Sequence, residues 1–383
     1  MNLKQAIGCL LSARLGGQTL DRKTEQALHN GLIGGIVLFK ENARDLKQLT
    51  QLIANIKSPS FHELMISVDQ EGGAVQRFDH ILTPLPSAMA LAAGSDLALL
   101  KTVAEISNKQ LKLLGFNCVL APVLDVLQNP INSVIATRSY GNSPDLVTKC
   151  AGQYLQAVKR SRMVAVGKHF PGHGSTMQDS HFELAVNDSP IEEIWLTDLA
   201  PFKSCLEDLP ALLIGHVWLP GVDPQPLPAT LSSHIIHDIL RQYLHYDGLV
   251  VTDSFDMKAI TDKWTVEEAS LMAINAGADH LLLCLEADQL LSVHKYLFDS
   301  VESGKLTENR IQDSVKRTQR LFKKNDQLKP VDQAKQLEQI NESIKLSHPI
   351  VFKAAVTPAA ISGLCLLIAV KTPQELESKP PSL

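Results

Sequence analysis

The stretch that decides the fold is Met163–His181, MVAVGKHFPGHGSTMQDSH. Its first residues, Met163–Val166, form an apolar run that reads as a buried strand. The run opens directly into a polar segment holding Lys168, His169, His173, Asp179 and His181. Pro171, Gly172 and Gly174 bend that segment into a loop. Burial explains the apolar half. Packing alone does not explain three histidines, a lysine and an aspartate gathered in one loop. A rigid strand that delivers reactive groups on a bent loop is a common layout for a site.

Outward from this stretch the same unit recurs. Short apolar runs lie at Ile7–Ser12, Gly35–Phe39, Leu64–Val68, Asn117–Pro122, Met163–Val166, Ala211–Ile214, Leu249–Val251 and His280–Leu283. Amphipathic helical patterns such as Leu97–Leu114, Ser143–Arg160 and Thr265–Ala276 fall between them. Alternating β and α units imply a parallel sheet, and near-continuous apolar strands imply burial on both faces. Eight units over roughly 300 residues predict an α/β protein, a (β/α)8 TIM barrel. An open doubly wound sheet would need a G-x-G-x-x-G turn after its first strand. The segment there, ARLGGQTLD, lacks it. The barrel is expected to occupy residues 1–325. Residues 326–383 form a short C-terminal extension, with a charged, Gln-rich helix-like piece, an apolar stretch and a Pro/Ser-rich end.

Composition narrows the class. The chain has 383 residues, 45% hydrophobic and 20% charged, with a net charge of −5. That balance suits a globular protein and argues against a nucleic-acid partner, which needs a basic field. Its six cysteines form no C-x-x-C pair, and several sit in apolar runs, which suits a reducing compartment. The N-terminal apolar run reads as the first strand rather than a signal peptide. Val351–Val370 is apolar but contains Lys353, Pro358 and Gly363. Its uninterrupted part is nearer a buried helix than a bilayer span. The expected location is cytoplasmic, and the sequence leaves the oligomeric state open.

In such a barrel the chemistry sits at the C-terminal ends of the strands. Asp69 follows the third run, Asp125 and then Arg138 the fourth, and Lys168 and His169 the fifth. Gly215 and His216 follow the sixth, and Thr252 and Asp253 the seventh. The segments entering the strands are bland by comparison. Asp253 comes almost directly off its strand, as a nucleophile or charge stabiliser would. The alternative for Asp253 is a helix N-cap, for which Asp256 is the better candidate. Asp179 and His181 sit at i and i+2, so the carboxylate can hold one ring nitrogen and leave the other for acid/base work. The alternative is a pair of surface loop residues. A metal site is not expected, because the spacing puts no two histidines on one helical face and Lys168 opposes a cation. Arg77, Arg138 and Lys168 can donate to sugar hydroxyls or a carboxylate. Glu71, Asp125, His216 and Asp223 fit structural hydrogen bonding and support of the site equally well.

Taken together, GGIVLFKEN, ISVDQEGGAVQRF, LAPVLDVLQNPINSVIATRSYG, KHFPGHGSTMQDSH, IGHVWLPGVDPQPLPATLS, GLVVTDSFDM and AGADHLLL resemble the β-N-acetylglucosaminidases of glycoside hydrolase family 3. The resemblance runs from about residue 5 to about 325. It implies that Asp253 is the catalytic nucleophile, His181 the general acid/base and Asp179 its orienting partner. It implies that Asp69 binds the hydroxyls of the non-reducing sugar, with Arg77, Arg138, Lys168 and His169 as further sugar contacts. The chain departs from the family pattern at Ala74, where an arginine is common, at Ala185, where a proline is frequent, and in its tail.

The activity implied is that of a retaining exo-β-N-acetylglucosaminidase. Its carbohydrate substrate would be a muropeptide or chito-oligosaccharide, met during peptidoglycan recycling. No cofactor is expected. The resemblance leaves open a family 3 β-glucosidase and a phosphorylase. A catalytically inactive sugar-binding barrel is the non-enzyme alternative.

Overall fold

Eight parallel strands carry the fold in a computed structural model that describes residues 1–322 and 333–356. They are β1 (Leu11–Arg14), β2 (Gly35–Val37), β3 (Met65–Ser67), β4 (Cys118–Val119), β5 (Val164–Phe170), β6 (Ala211–Ile214), β7 (Leu249–Thr252) and β8 (Leu281–Leu282). One four-stranded sheet has the order β8-β1-β2-β3 and another the order β7-β6-β5-β4. The two sheets meet along two seams. At one, Leu120 N donates to Val68 O at 3.0 Å, and the Asn117 side chain bonds both Ile66 N and Leu64 O at 2.8 and 2.7 Å. At the other, Thr252 N donates to His280 O and His280 N to Val250 O, each at 3.0 Å. Inside the sheets a polar pair is buried: His280 Nε2 lies 2.6 Å from Ser12 Oγ.

The expected helices form. Leu97–Leu114 starts at an Asp96 cap and stops at Gly115, whose φ of +106° is the left-handed conformation glycine adopts freely. Leu100, Val103, Ala104, Ser107, Leu111 and Leu114 make its buried stripe at helical spacing. Pro144–Arg160 begins with proline in its first turn, and Val266–Ala276 with a Thr265/Glu268 capping box.

The first apolar run is not wholly a strand. Leu3–Gly8 is a helix, and β1 begins only at Leu11. The Asn2 side chain takes Gln5 N, and the Gln5 side chain takes Asn2 N. That reciprocal cap satisfies two orphan donors and fixes a helix where composition alone is ambiguous. The fifth strand also differs. It continues past Val166 to Phe170 and takes in Lys168 and His169.

The tail provides a helix, Gln333–Val356, that lies along Leu97–Leu114. Ile340 is fully buried there, and Val351 packs with Leu85 and Val103. Ser347 Oγ meets Thr83 Oγ1 at 2.7 Å, and Gln110 Nε2 donates to both at 2.9 and 3.3 Å. Most of the apolar stretch Val351–Val370, and the Pro/Ser-rich end, lie outside the described residues. Among the described residues no helix is long and apolar enough to cross a membrane.

Candidate active site

Beyond β3 the chain makes a small antiparallel hairpin, Gln70–Gly72 with Val75–Gln76. It is strapped by Leu85, whose N–H donates to Gln76 Oε1 and whose carbonyl accepts from Gly73 N, both at 2.9 Å. The hairpin holds Asp69, Glu71 and Arg77 at the C-terminal ends of the strands, while Ala74 is exposed at its tip. The ladder of β5 with β6 shifts register between Gly167 and Phe170. Such an irregularity re-aims side chains, and here Lys168 and His169 meet the hairpin.

Five charged groups interlock. Lys168 Nζ lies 2.6 Å from Asp69 Oδ1 and 2.6 Å from Glu71 Oε1. Arg77 Nη2 reaches Asp69 Oδ2 at 3.1 Å. Arg138 grips Glu71 with two parallel bonds of 2.8 and 2.9 Å, and its Nη2 also reaches His169 Nε2 at 3.3 Å. Burial alone would push both carboxyls up. Lys168 and Arg77 outweigh it at Asp69, and Lys168 and Arg138 at Glu71, so both stay below the usual carboxylate range. Burial would likewise lower the Lys168 ammonium, but Asp69 and Glu71 raise it. All three groups are therefore ionised at neutral pH. Asp69 still shows part of its side chain to solvent, 16% against 4% for Glu71. Asp69 is the one placed to accept from a ligand, and Glu71 the one that holds the cations.

Asp125 lies under this network with no exposure. It accepts from His169 Nδ1 at 2.7 Å, from His169 N at 3.2 Å and from His173 N at 2.7 Å. This leaves His169 Nε2 to accept from Arg138. Gly174 is required next to it, because a Cβ there would stand 1.9 Å from Val126 O.

Asp253 leaves the end of β7, and its carboxylate accepts from Ser254 N at 2.8 Å. Its burial is offset first by His216, then by His169, the Ser254 N–H and Lys168, and the carboxyl stays below its ordinary range. His216 is fully buried. Its Nε2 donates to Ser254 O at 2.8 Å, so Nδ1 is the acceptor for the Thr230 hydroxyl, also at 2.8 Å. Burial pushes the imidazole below its ordinary value. Neither Asp253 nor Asp256 caps the following short helix, Lys258–Thr261. Asp256 accepts instead from Ser254 Oγ at 2.6 Å.

Asp179 and His181 pair as their spacing implies. Asp179 Oδ1 takes His181 Nδ1 at 2.7 Å and His181 N at 2.9 Å. The ring is 60% exposed, with Nε2 left for a ligand. Burial would raise the Asp179 carboxyl, but the bonds from His181 hold it down. The loop that carries the pair reaches the start of the helix that follows the Asp253 loop, since Lys258 N donates to His181 O at 3.3 Å. Ala185 enters a two-residue ladder with Val217–Trp218 and so anchors the far end of the loop that carries Asp179 and His181.

Residues 3–321 match the glycosyl hydrolase family 3 N terminal domain. The chain belongs to glycosyl hydrolase family 3. It is 31% identical over 342 residues to a β-hexosaminidase of Nitrosomonas eutropha, covering 87% of this chain and 97% of that one. It is 32% identical over 318 residues to a β-hexosaminidase of Haemophilus influenzae, covering 81% and 88%. A solved family 3 β-N-acetylglucosaminidase from Paenibacillus sp. superposes with a TM-score of 0.81 at 34% identity, over 90% of this chain and 69% of that one. The chain is thus a glycoside hydrolase with the α/β fold of family 3.

In this family 3 chain the strand ends bring Asp69, Arg77, Arg138, Lys168 and His169 into one network. A hydrogen bond joins the Asp179/His181 loop to the helix that follows the Asp253 loop. Of the four residues whose sequence context was ambiguous, three sit at the site. Glu71 anchors Lys168 and Arg138, Asp125 holds His169, and His216 holds the backbone beside Asp253. Asp223 does not join them. It takes Ser232 Oγ at 2.6 Å and His234 Nδ1 at 2.7 Å and closes a surface loop. No motif signals the partnership of Glu71 with Arg138, which lies 67 residues away. Among the described residues no group of three or more metal-ligating side chains converges.

Proposed function

We propose that this glycoside hydrolase is a retaining exo-β-N-acetylglucosaminidase acting through Asp253 and His181. The observation that carries the reading is the hydrogen bond between Lys258 N and His181 O. It ties the loop bearing the oriented imidazole to the helix that directly follows the loop bearing the ionised carboxylate. That is the two-group requirement of a retaining glycosidase, with a histidine in the acid's place. The matched relatives named β-hexosaminidase support the same substrate class.

In the first step Asp253 attacks the anomeric carbon, while His181 Nε2–H gives its proton to the leaving oxygen. The C–O bond to the aglycone breaks, and a glycosyl ester forms. In the second step neutral His181 takes a proton from water, water attacks the anomeric carbon, and the ester bond to Asp253 breaks. Two displacements return the β-configuration. Asp69, held ionised by Lys168 and Arg77, accepts from hydroxyls of the terminal sugar. Arg77, Arg138, Lys168 and His169 complete that end, and a walled end favours cleavage of one terminal residue at a time.

We read the two sheets as one closed (β/α)8 barrel over residues 1–325, with residues 326–383 as a C-terminal extension whose helix Gln333–Val356 packs on Leu97–Leu114. The substrate context we favour is a GlcNAc-terminated muropeptide in cytoplasmic cell-wall recycling. The test is hydrolysis of 4-nitrophenyl β-N-acetylglucosaminide against the β-glucoside, with and without phosphate, and with Asp253→Ala as control. Preference for the glucoside, or acceleration by phosphate with a sugar phosphate as product, favours the rival family 3 activities. Full activity of Asp253→Ala contradicts the mechanism.

A further inference from the structure

His173 lies in the same loop as the acid/base pair but has no part in the reaction as described. It is 1% exposed, and its partners Ser180 and Thr176 are 2% and 0% exposed. Burial, and then the neighbouring His169, push its pKa down to about 4, so the ring is neutral at neutral pH. The hydrogen-bond network fixes its tautomer. Thr176 Oγ1 donates to His173 O at 3.0 Å, so it must accept from His173 Nδ1–H at 2.8 Å. Nε2 then has only a lone pair, and it faces Ser180 Oγ at 3.1 Å. The Ser180 hydroxyl donates to it.

Ser180 stands between Asp179 and His181, and its side chain points the opposite way from theirs. Its neighbours are exposed: His181 at 60%, Met177 at 66% and Phe182 at 69%. A loop so open to solvent needs a buried anchor to hold one geometry. His173 N is in turn bound at 2.7 Å to Asp125, the same carboxylate that orients His169. A continuous chain of contacts therefore runs from the sugar-binding strand end to the residue beside the proton donor.

We propose that the His173–Ser180 hydrogen bond is a clasp that sets the working position of His181, and that Ser180 and His173 are positioning residues for proton transfer. The proposal rests on the acid/base reading of His181. It predicts a loss confined to steps that need the proton. Cleavage of a 2,4-dinitrophenyl glycoside needs no acid, because the leaving group departs as a stable anion. Cleavage of the β-linked GlcNAc disaccharide does need one. The value kcat/KM reports this first step alone, free of the base-assisted second step.

The experiment measures kcat/KM for both substrates in the wild type, Ser180→Ala, Ser180→Thr, His173→Leu, the Ser180→Ala/His173→Leu double variant and His181→Ala. Thermal unfolding of each variant confirms folding. The ratio of dinitrophenyl to disaccharide kcat/KM should rise roughly tenfold in Ser180→Ala, the scale of one hydrogen bond. Ser180→Thr should restore it, and the double variant should be no worse than the more affected single variant. His181→Ala should raise the ratio further. An unchanged ratio in Ser180→Ala beside a raised one in His181→Ala overturns the clasp alone. Losses that multiply in the double variant also overturn it. An unchanged ratio in His181→Ala overturns the acid/base reading and the clasp together.

Discussion

Lys168 Nζ sits 2.6 Å from Glu71 Oε1, with the two side chains only 3% and 4% exposed. Lys168 is also shared with Asp69, so one ammonium compensates two carboxylates at the strand ends. Lys168→Met keeps the length of the side chain and removes the charge. It leaves Asp69 with Arg77 and Glu71 with Arg138. Loss of one partner from a buried network costs about 3–5 kcal/mol. We expect a large drop in unfolding free energy by urea titration, together with a raised KM. A variant as stable as the wild type would mean that the two arginines suffice.

A second expectation concerns pH. Burial pushes both His173 and His280 down to about 4, from an ordinary value of 6.5. Between these values the unfolded chain binds protons that the folded chain does not, so stability must fall as pH drops from about 6.5 to about 4. Each histidine contributes up to about 3 kcal/mol to that loss. Asp69, Asp125 and Asp253 have lowered values and extend the loss below the ordinary carboxylate range. Tm measured across pH 4–7 should fall towards acid. His280→Leu, which removes one of these buried histidines, should flatten the slope. An equal slope in that variant would contradict the assignment.

How much of this was legible follows from what each residue needs. Asp253 and the Asp179/His181 pair stood out because the roles proposed for them depend on local position, directly after a strand or two residues apart. Glu71 did not, since its role lies in Lys168 and Arg138, 97 and 67 residues away, and spacing carries no trace of them. The end of β5 was read too early because Lys168 and His169 break the apolar run while still being strand. The Leu3–Gly8 helix was hidden in an apolar run, although its Asn2–Gln5 cap was there to be read.

The tail helix should matter for stability. Ile340 is buried to 0% exposure, and Ser347 completes a polar cluster with Thr83 and Gln110. Truncation of a buried Ile to Ala costs about 2–5 kcal/mol. Ile340→Ala should therefore lower Tm by several degrees while kcat stays near the wild-type value. An unchanged Tm would show that the helix does not dock on Leu97–Leu114 in solution.

The central claim is a covalent glycosyl-enzyme on Asp253. On the proposed mechanism His181→Ala should slow the second displacement, whereas a dinitrophenyl leaving group should keep the first one fast. Peptide mass spectrometry after mixing that variant with 2,4-dinitrophenyl β-N-acetylglucosaminide is the direct measurement. The account predicts that the peptide containing Asp253 gains the mass of one N-acetylglucosaminyl residue. A label on another residue, or no label together with release of the α-anomer, would contradict it.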